Sequence, residues 1–377
     1  MKLSKQQLAY HMPVVVSFLV IMMLWVLPTG FEGAIIYQGT DRCAAKVIAV
    51  DNSHIIDTGI IRSGEQLCTL ELLGGKFEGQ MVEGYNMLRG SLENDKIFLP
   101  EDKALVVIDY QDDQVLSVNM IDHYRMPQQL LLVGSFALFL ILFAGRTGVR
   151  AILSFVLTIL MLWKVLVPFY LKGANPIFMG LMVVLLLTIL IISLVYGFNR
   201  LALSAISGAV LGLLTSCILG MVFTDQFNIH GAIMAYSESL LYSGYQDLNL
   251  TSIFMASIFI GASGAMMDLA VDITSAVNEV IQKKPNISWL EATKSGLNVG
   301  RAAMGTMTTT LLLAYSGGYI ALLMVFMAQG TPIDNILNYK YVSAEIVDTI
   351  VGSFGLVAVA PMTALTSGFL LTKRLPK

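Results

Sequence analysis

The sequence predicts an α-helical membrane bundle of about eight transmembrane helices, with a small extracytoplasmic β-rich domain inserted after the first. Three observations lead there. Of 377 residues, 56% are hydrophobic and 13% charged, and the mean hydropathy is +0.72, far above the usage of soluble domains. Eight apolar runs approach or exceed the length needed to cross a hydrocarbon core of about 30 Å. Sixteen of the 26 acids fall between Glu32 and Asp122, so that stretch is compositionally a different, water-soluble domain.

The apolar runs lie at residues 12–30, 126–145, 150–171, 176–197, 201–223, 250–273, 303–327 and 346–371. The first has a basic start and a short apolar core, as a signal peptide does, but its flank LPTGFEGA lacks a small-x-small cleavage site. It is therefore read as an uncleaved anchor over 1–30, followed by an external domain over 31–125 and a seven-helix domain over 126–377. An even number of spans puts both termini on one side. That side collects Lys2, Lys5, Arg146, Arg150, Arg200, Lys283, Lys284, Lys294, Arg301, Lys373, Arg374 and Lys377, against Lys172 and Lys340 in the opposite short loops, which predicts cytoplasmic termini.

In the external segment the runs AAKVIAV (44–50), QLCTLELL (66–73), ALVVIDY (104–110) and QVLSVNM (114–120) are separated by turn signals. They predict antiparallel strands in a five- or six-stranded barrel, OB-like or SH3-like. Cys43 and Cys68 share this compartment, which permits a disulfide without fixing its geometry, and both the bridged and the free state remain open. Cys217 falls inside the fifth span as a small apolar residue.

The stretch GASGAMMDLAVDITSAVNEV (261–280) carries three acids in or beside a membrane helix. At 100° per residue, Ser257, Gly261, Gly264, Asp268, Asp272, Ser275 and Glu279 fall on one face. In the following helix Asn298, Arg301, Gly305, Thr308, Thr309 and Ser316 form a second polar stripe. With the bend near Pro285, Asp272 and Arg301 come to similar depth. Acids in excess over one Arg can attract a cation or hold a proton. Two placements stay open. If the helix breaks at Gly261 and Gly264, Asp268 and Asp272 approach a cavity, as in discontinuous transporter helices. If it enters the bilayer near residue 250 unbroken, the acids are interfacial charges paired with Arg301, Lys294 or helix ends.

Other polar residues have plainer readings. Lys164 can extend its ammonium to the outer interface. Glu345 and Asp348 sit at a span boundary. Pro361 kinks the last span, and Thr363, Thr366 and Ser367 can serve the freed backbone groups. The segment 227–247 lies along the outer interface. No HExxH, CxxC, phosphate loop or GxSxG elbow occurs, the four histidines are scattered, and no basic stripe exists; these patterns predict no metal, no cofactor, no nucleic acid and no enzyme. An intramembrane aspartyl protease was weighed because paired acids can activate water, but the sequence has no YD or GxGD pairing.

These residues give the chain its family likeness. The blocks at 261–280, SGLNVGRAAMGTMTTTLLLAYSGG (295–318) and GSFGLVAVAPMTAL (352–365) resemble the YibE/F-like family of bacterial multi-spanning membrane proteins. Gly261, Gly264, Asp268, Ser275 and Glu279 match in the first block, Gly300, Arg301, Gly305, Thr306 and Thr308 in the second, and Gly352, Ser353 and Pro361 in the third. Ala302 and Thr309 stand where the family pattern has an acid and an Asn. The resemblance implies a bacterial plasma-membrane protein and brings no substrate with it.

The expected function is solute or ion transport coupled to protons or sodium. Asp268, Asp272, Ser275, Glu279, Asn298, Arg301 and Thr308 are its pathway candidates, and Gly261, Gly264, Gly305 and Pro361 its packing or hinge positions. The alternative is a non-transporting scaffold or assembly subunit whose external domain binds a protein partner. Besides the lipid bilayer, the expected partners are a small ion or solute and that external protein.

Overall fold

The computed structural model describes residues 5–33 and 39–373. Lys2, Arg374 and Lys377, counted above on the terminal side, lie outside the described residues. In order, the chain forms α1 (Lys5–Val26), strands β1 (Thr40–Asp57), β2 (Arg62–Leu72), β3 (Met81–Arg89), β4 (Lys103–Gln111) and β5 (Gln114–His123), then α2 (Met126–Ala144), α3 (Arg146–Met161), α4 (Val167–Leu171), α5 (Pro176–Tyr196), α6 (Arg200–Gln226), α7 (Ser237–Tyr242), α8 (Leu250–Lys283), α9 (Trp289–Ser316), α10 (Ile320–Ala328), α11 (Ile333–Asn338) and α12 (Lys340–Thr372). Among the described residues, eight helical segments are long and apolar enough to cross a membrane. Two compact units result: Glu32–Leu142, and the remainder before and after it.

Helix starts follow local chemistry. Asn175, Asn199, Asn249 and Ser288 each accept a backbone N–H of the next turn and so begin α5, α6, α8 and α9. The last of these lies just after Pro285, with Glu291 at the third position of the turn. A π turn at Leu162–Leu166 joins α3 to α4. Lys164 in that turn donates to the Leu27 carbonyl at 3.0 Å, and Lys172 to that of Thr29 at 2.8 Å. Lys164 thus extends toward the end of α1 and meets the carbonyl just past it, where positive charge is favoured.

The bundle core is built around α12, which lies against α6, α8 and α9. On α6, Ser204, Gly208, Gly212, Ser216 and Gly220 recur every four residues, giving one face narrow enough for close backbone approach. A Cβ on Gly208 would lie 2.7 Å from the Thr363 Cα, and one on Gly355 would strike the Ser216 side chain and lie 3.1 Å from the Gly212 carbonyl oxygen. Hydroxyls stitch the same seam: Ser204 to Ser367 at 2.8 Å, Thr274 to Ser367 at 3.1 Å, and Ser216 to the Val351 carbonyl at 3.2 Å. Thr366 donates to the Ser204 carbonyl across the helices as well as to that of Thr363, so Thr366 and Ser367 link helices, while the buried Thr363 hydroxyl has no partner among the described residues. Pro361 itself lies within the α12 helix.

In the other unit, β1–β5 close a barrel in the order β1-β2-β3-β5-β4, with β4 pairing back to β1 and β3 parallel to β5. That order is of the OB type. All four expected strands form, and β3 is the one not anticipated. Inward residues alternate along the strands, as in Cys68, Leu70 and Leu72 of β2. The barrel interior also holds a polar link. Gln66 donates to the Phe98 carbonyl at 2.9 Å and accepts from the Phe98 N–H and from Asn86, both at 3.0 Å, pinning the β3–β4 connection to the core.

Cys43 and Cys68 are free and buried. Cys68 pairs with Val50, while Cys43 contacts Gly74. Gly74 lies past the end of β2 at Leu72, whereas Cys68 lies within the strand, so the two cysteines sit at different levels of the barrel wall. Burial pushes the Cys68 thiol up to about 11. The bridge left open by the sequence is not formed.

Two outcomes follow. Gly208→Ala should destabilise the bundle by about 1–3 kcal/mol through overpacking, read as a lower unfolding midpoint in detergent. Gly134→Ala, where an added Cβ meets nothing within 4 Å, should not. Gln66→Leu should lose about 2 kcal/mol or more by orphaning the Phe98 and Asn86 groups, read as faster amide exchange in residues 90–102 of the full chain.

Candidate functional site

Helix α8 runs unbroken for 34 residues, about 51 Å at 1.5 Å per residue. Of the two placements left open, the break at Gly261 and Gly264 is absent, because a glycine costs a helix interior only about 1 kcal/mol and flanking turns supply the packing. The predicted face is real. Ser257, Gly261, Gly264, Asp268, Asp272, Ser275 and Glu279 are all exposed, while Ile258, Met266, Leu269, Ile273 and Val277 are buried. Asp268 lies about 27 Å and Asp272 about 33 Å from Leu250. They straddle the far edge of a 30 Å core that starts at that residue.

The neighbours sort these acids. Glu279 forms an ion pair with Lys283 at 2.6 Å, both exposed, an ordinary arrangement at a helix end. Ser275 shares a 2.6 Å hydrogen bond with Tyr196, whose hydroxyl also lies 2.6 Å from the Val271 carbonyl. Asp268, Asp272 and Arg301 form no ion pair among the described residues. The helices meet elsewhere: Gly296 and Gly300 of α9 sit against Val277 and Ile273, turning the charged edges outward. Asn298 and Arg301 are exposed, and Thr308 donates back to the Met304 carbonyl at 3.0 Å. Gly305 and Gly264 face open space. Arg301 is therefore not the intrachain counter-charge that matching depth led us to expect.

A second constellation lies near the other end of α8. The Tyr315 hydroxyl of α9 is packed over Gly261, where a Cβ would approach it to 2.7 Å. Glu345, Asp348 and Thr349 occupy one face of α12, with the Thr349 hydroxyl 3.5 Å from the Glu345 carboxylate. Tyr319 contacts that carboxylate, and Asp348 is within electrostatic reach of Tyr315 and Glu345. Asp348 Oδ1 and the Tyr315 hydroxyl are buried and have no hydrogen-bond partner among the described residues. Asp348 stands about 12 Å along α12 from Lys340, well inside the helix. Beside it is a cleft of about 220 Å³ lined by Leu312, Ser316, Tyr319, Glu345 and Thr349, among others.

Sequence reasoning took Glu345 and Asp348 for boundary charges and passed over Tyr315. The available signal was spacing: Glu345, Asp348 and Thr349 fall on one helical face, and so do Tyr315 and Tyr319. Their meeting depends on α9 and α12 lying side by side, which no local pattern states.

In the barrel, Ile60 is 80% exposed and Leu92 76%, and both line a cleft of about 210 Å³ with Asp57, Arg62 and Asp95. The Arg62 guanidinium hydrogen-bonds Asp57 and holds it below the usual carboxylate range; backbone N–H groups of Arg89 and Ser91 do the same for Asp95. Among the described residues, no group of His, Cys, Asp and Glu could hold a metal ion.

No curated protein and no solved structure matches the chain. A family model for YibE/F-like proteins matches residues 132–373. That range contains both polar constellations and well over half of the sequence. The chain belongs to the YibE/F-like family.

Proposed function

We propose that this is a multi-pass membrane transporter in which a proton or an alkali cation moves along a polar track. The track runs from Glu345 and Asp348 past Tyr315 and Gly261 to Asp268 and Asp272. The buried Asp348 oxygen, without a protein partner beside an equally unpartnered Tyr315 hydroxyl, carries this reading. A carboxylate withdrawn from water in an apolar helix is unfavourable unless something positive reaches it. Along α8, Gly261 and Gly264 keep the route below Tyr315 free of side chains, and the two aspartates follow at about 10 and 16 Å. The excess of Lys and Arg at the terminal end of the helices supports cytoplasmic termini and an external barrel in a bacterial plasma membrane.

The scaffold reading has support of its own in the barrel cleft, where exposed Ile60 and Leu92 offer an apolar surface to a protein partner. The two readings separate in liposomes holding the full chain and a trapped pH-sensitive dye. Under an imposed Na⁺ or K⁺ gradient, protein-dependent proton movement is expected. Asp348→Asn should reduce it by about tenfold or more, Tyr315→Phe by less, and Asp268→Asn should also lower it, as befits charges whose removal unmakes an intramembrane site. Glu238→Gln, at an exposed position, should leave it unchanged. Flux no greater than in empty vesicles, or unaltered by the three substitutions, would turn the assignment to the scaffold.

A further inference from the structure

Helix α9 is barely covered by the rest of its own unit. Of the 28 residues of α9, only Ala292, Thr293, Gly296, Gly300 and Leu311 are buried. Its uncovered face carries Asn298, Arg301, Thr309 and Thr310, beside the equally uncovered Asp268 and Asp272 of α8. At the depth given above this face lies at the edge of a roughly 30 Å core, and within the chain its charges do not neutralise one another.

We infer that this face is covered by a second copy of the chain, in a two-fold dimer whose axis stands along the membrane normal. Charge and depth argue for a copy in place of another partner. The face carries both signs, acids on α8 and Arg301 on α9, so it is complementary to itself. In a parallel dimer, pairing residues must lie at equal depth. Asp272 is about 17 Å from the end of α8 at Lys283, and Arg301 about 18 Å from the start of α9 at Trp289, the two helices being joined by a short turn. A two-fold axis then sets each Asp272 against the other copy's Arg301 and generates two ion pairs, as an isologous interface requires. Gly264 and Gly305, where an added Cβ meets nothing within 4 Å, leave room for the facing helices to approach. The inference stands on this surface alone and does not require that the protein transport anything.

Single-molecule photobleaching of the labelled full chain in bilayers gives the test. Two-step bleaching is expected for the native protein. Asp272→Arg alone and Arg301→Asp alone should each weaken association by about tenfold or more, and the two substitutions together should restore it, since the swapped charges again meet. Cysteines introduced at 272 and 301 should form an interchain disulfide on mild oxidation. The helical circular dichroism of each variant shows whether it has folded. A monomer at all densities, dimers indifferent to both charge reversals, or a different protein occupying the face would each overturn the inference. A monomer that still moves protons would reject the dimer and leave the transport reading intact. A charge-dependent dimer with dispensable Asp348 would do the reverse.

Discussion

Close backbone contact between α6 and α12 is the constraint on which the bundle depends. In lipid, helices gain little from apolar burial against each other, so association rests on packing and on hydrogen bonds across the seam. Here both come from the same positions. Small residues every fourth place on α6 admit α12, and that proximity lets Ser204 reach Ser367 and Ser216 the Val351 carbonyl, while Thr274 of α8 meets Ser367 from the other side. With α12 fixed in this groove, α9 is held against it by Gly296 and Gly300 beside Ala364 and Ala360. The positions of Tyr315 and Asp348 are consequences of that chain of contacts.

The polar groups divide into those that are answered within the chain and those that are not. Lys164, Lys172 and Arg150 each meet a backbone carbonyl, Glu279 meets Lys283, Ser204 meets Ser367, and Ser216 and Thr366 meet carbonyls across the α6/α12 seam. Arg150 also stacks over Tyr10, 4.0 Å from the ring centre, tying α1 and α3 together. Asp348 Oδ1, Tyr315, Asp268, Asp272 and Arg301, along α8, α9 and α12, have no such partner among the described residues, and the buried hydroxyls of Ser193, Thr224 and Thr363 share that condition elsewhere in the bundle.

The spans were legible because an apolar run of membrane length has few other uses, and the strands because inward and outward residues alternate. Helix ends were less legible: α8 continues past residue 273 to Lys283, and α9 starts at Trp289, since amphipathic turns carry both helices beyond their apolar cores. Barrel closure was hidden, because pairing of β1 with β4 and of β3 with β5 is set by contacts far apart in sequence. The acid face was located correctly from angular spacing. What covers it was not, because the contact of Gly300 with Ile273 decides which edge of each helix turns outward. The Cys43–Cys68 separation could be read only once the β1–β2 register existed. Asp348 and Tyr315, 33 positions apart, looked unremarkable singly.

The continuity of α8 limits how this molecule can move. A rod of about 51 Å with neither proline nor break has no internal joint, so displacement at its Gly261 contact with Tyr315 must be felt where Ser275 meets Tyr196. Any change of state would then proceed by tilting or sliding whole helices past the glycine seam, in the manner of a lever, and not by one segment folding away from another.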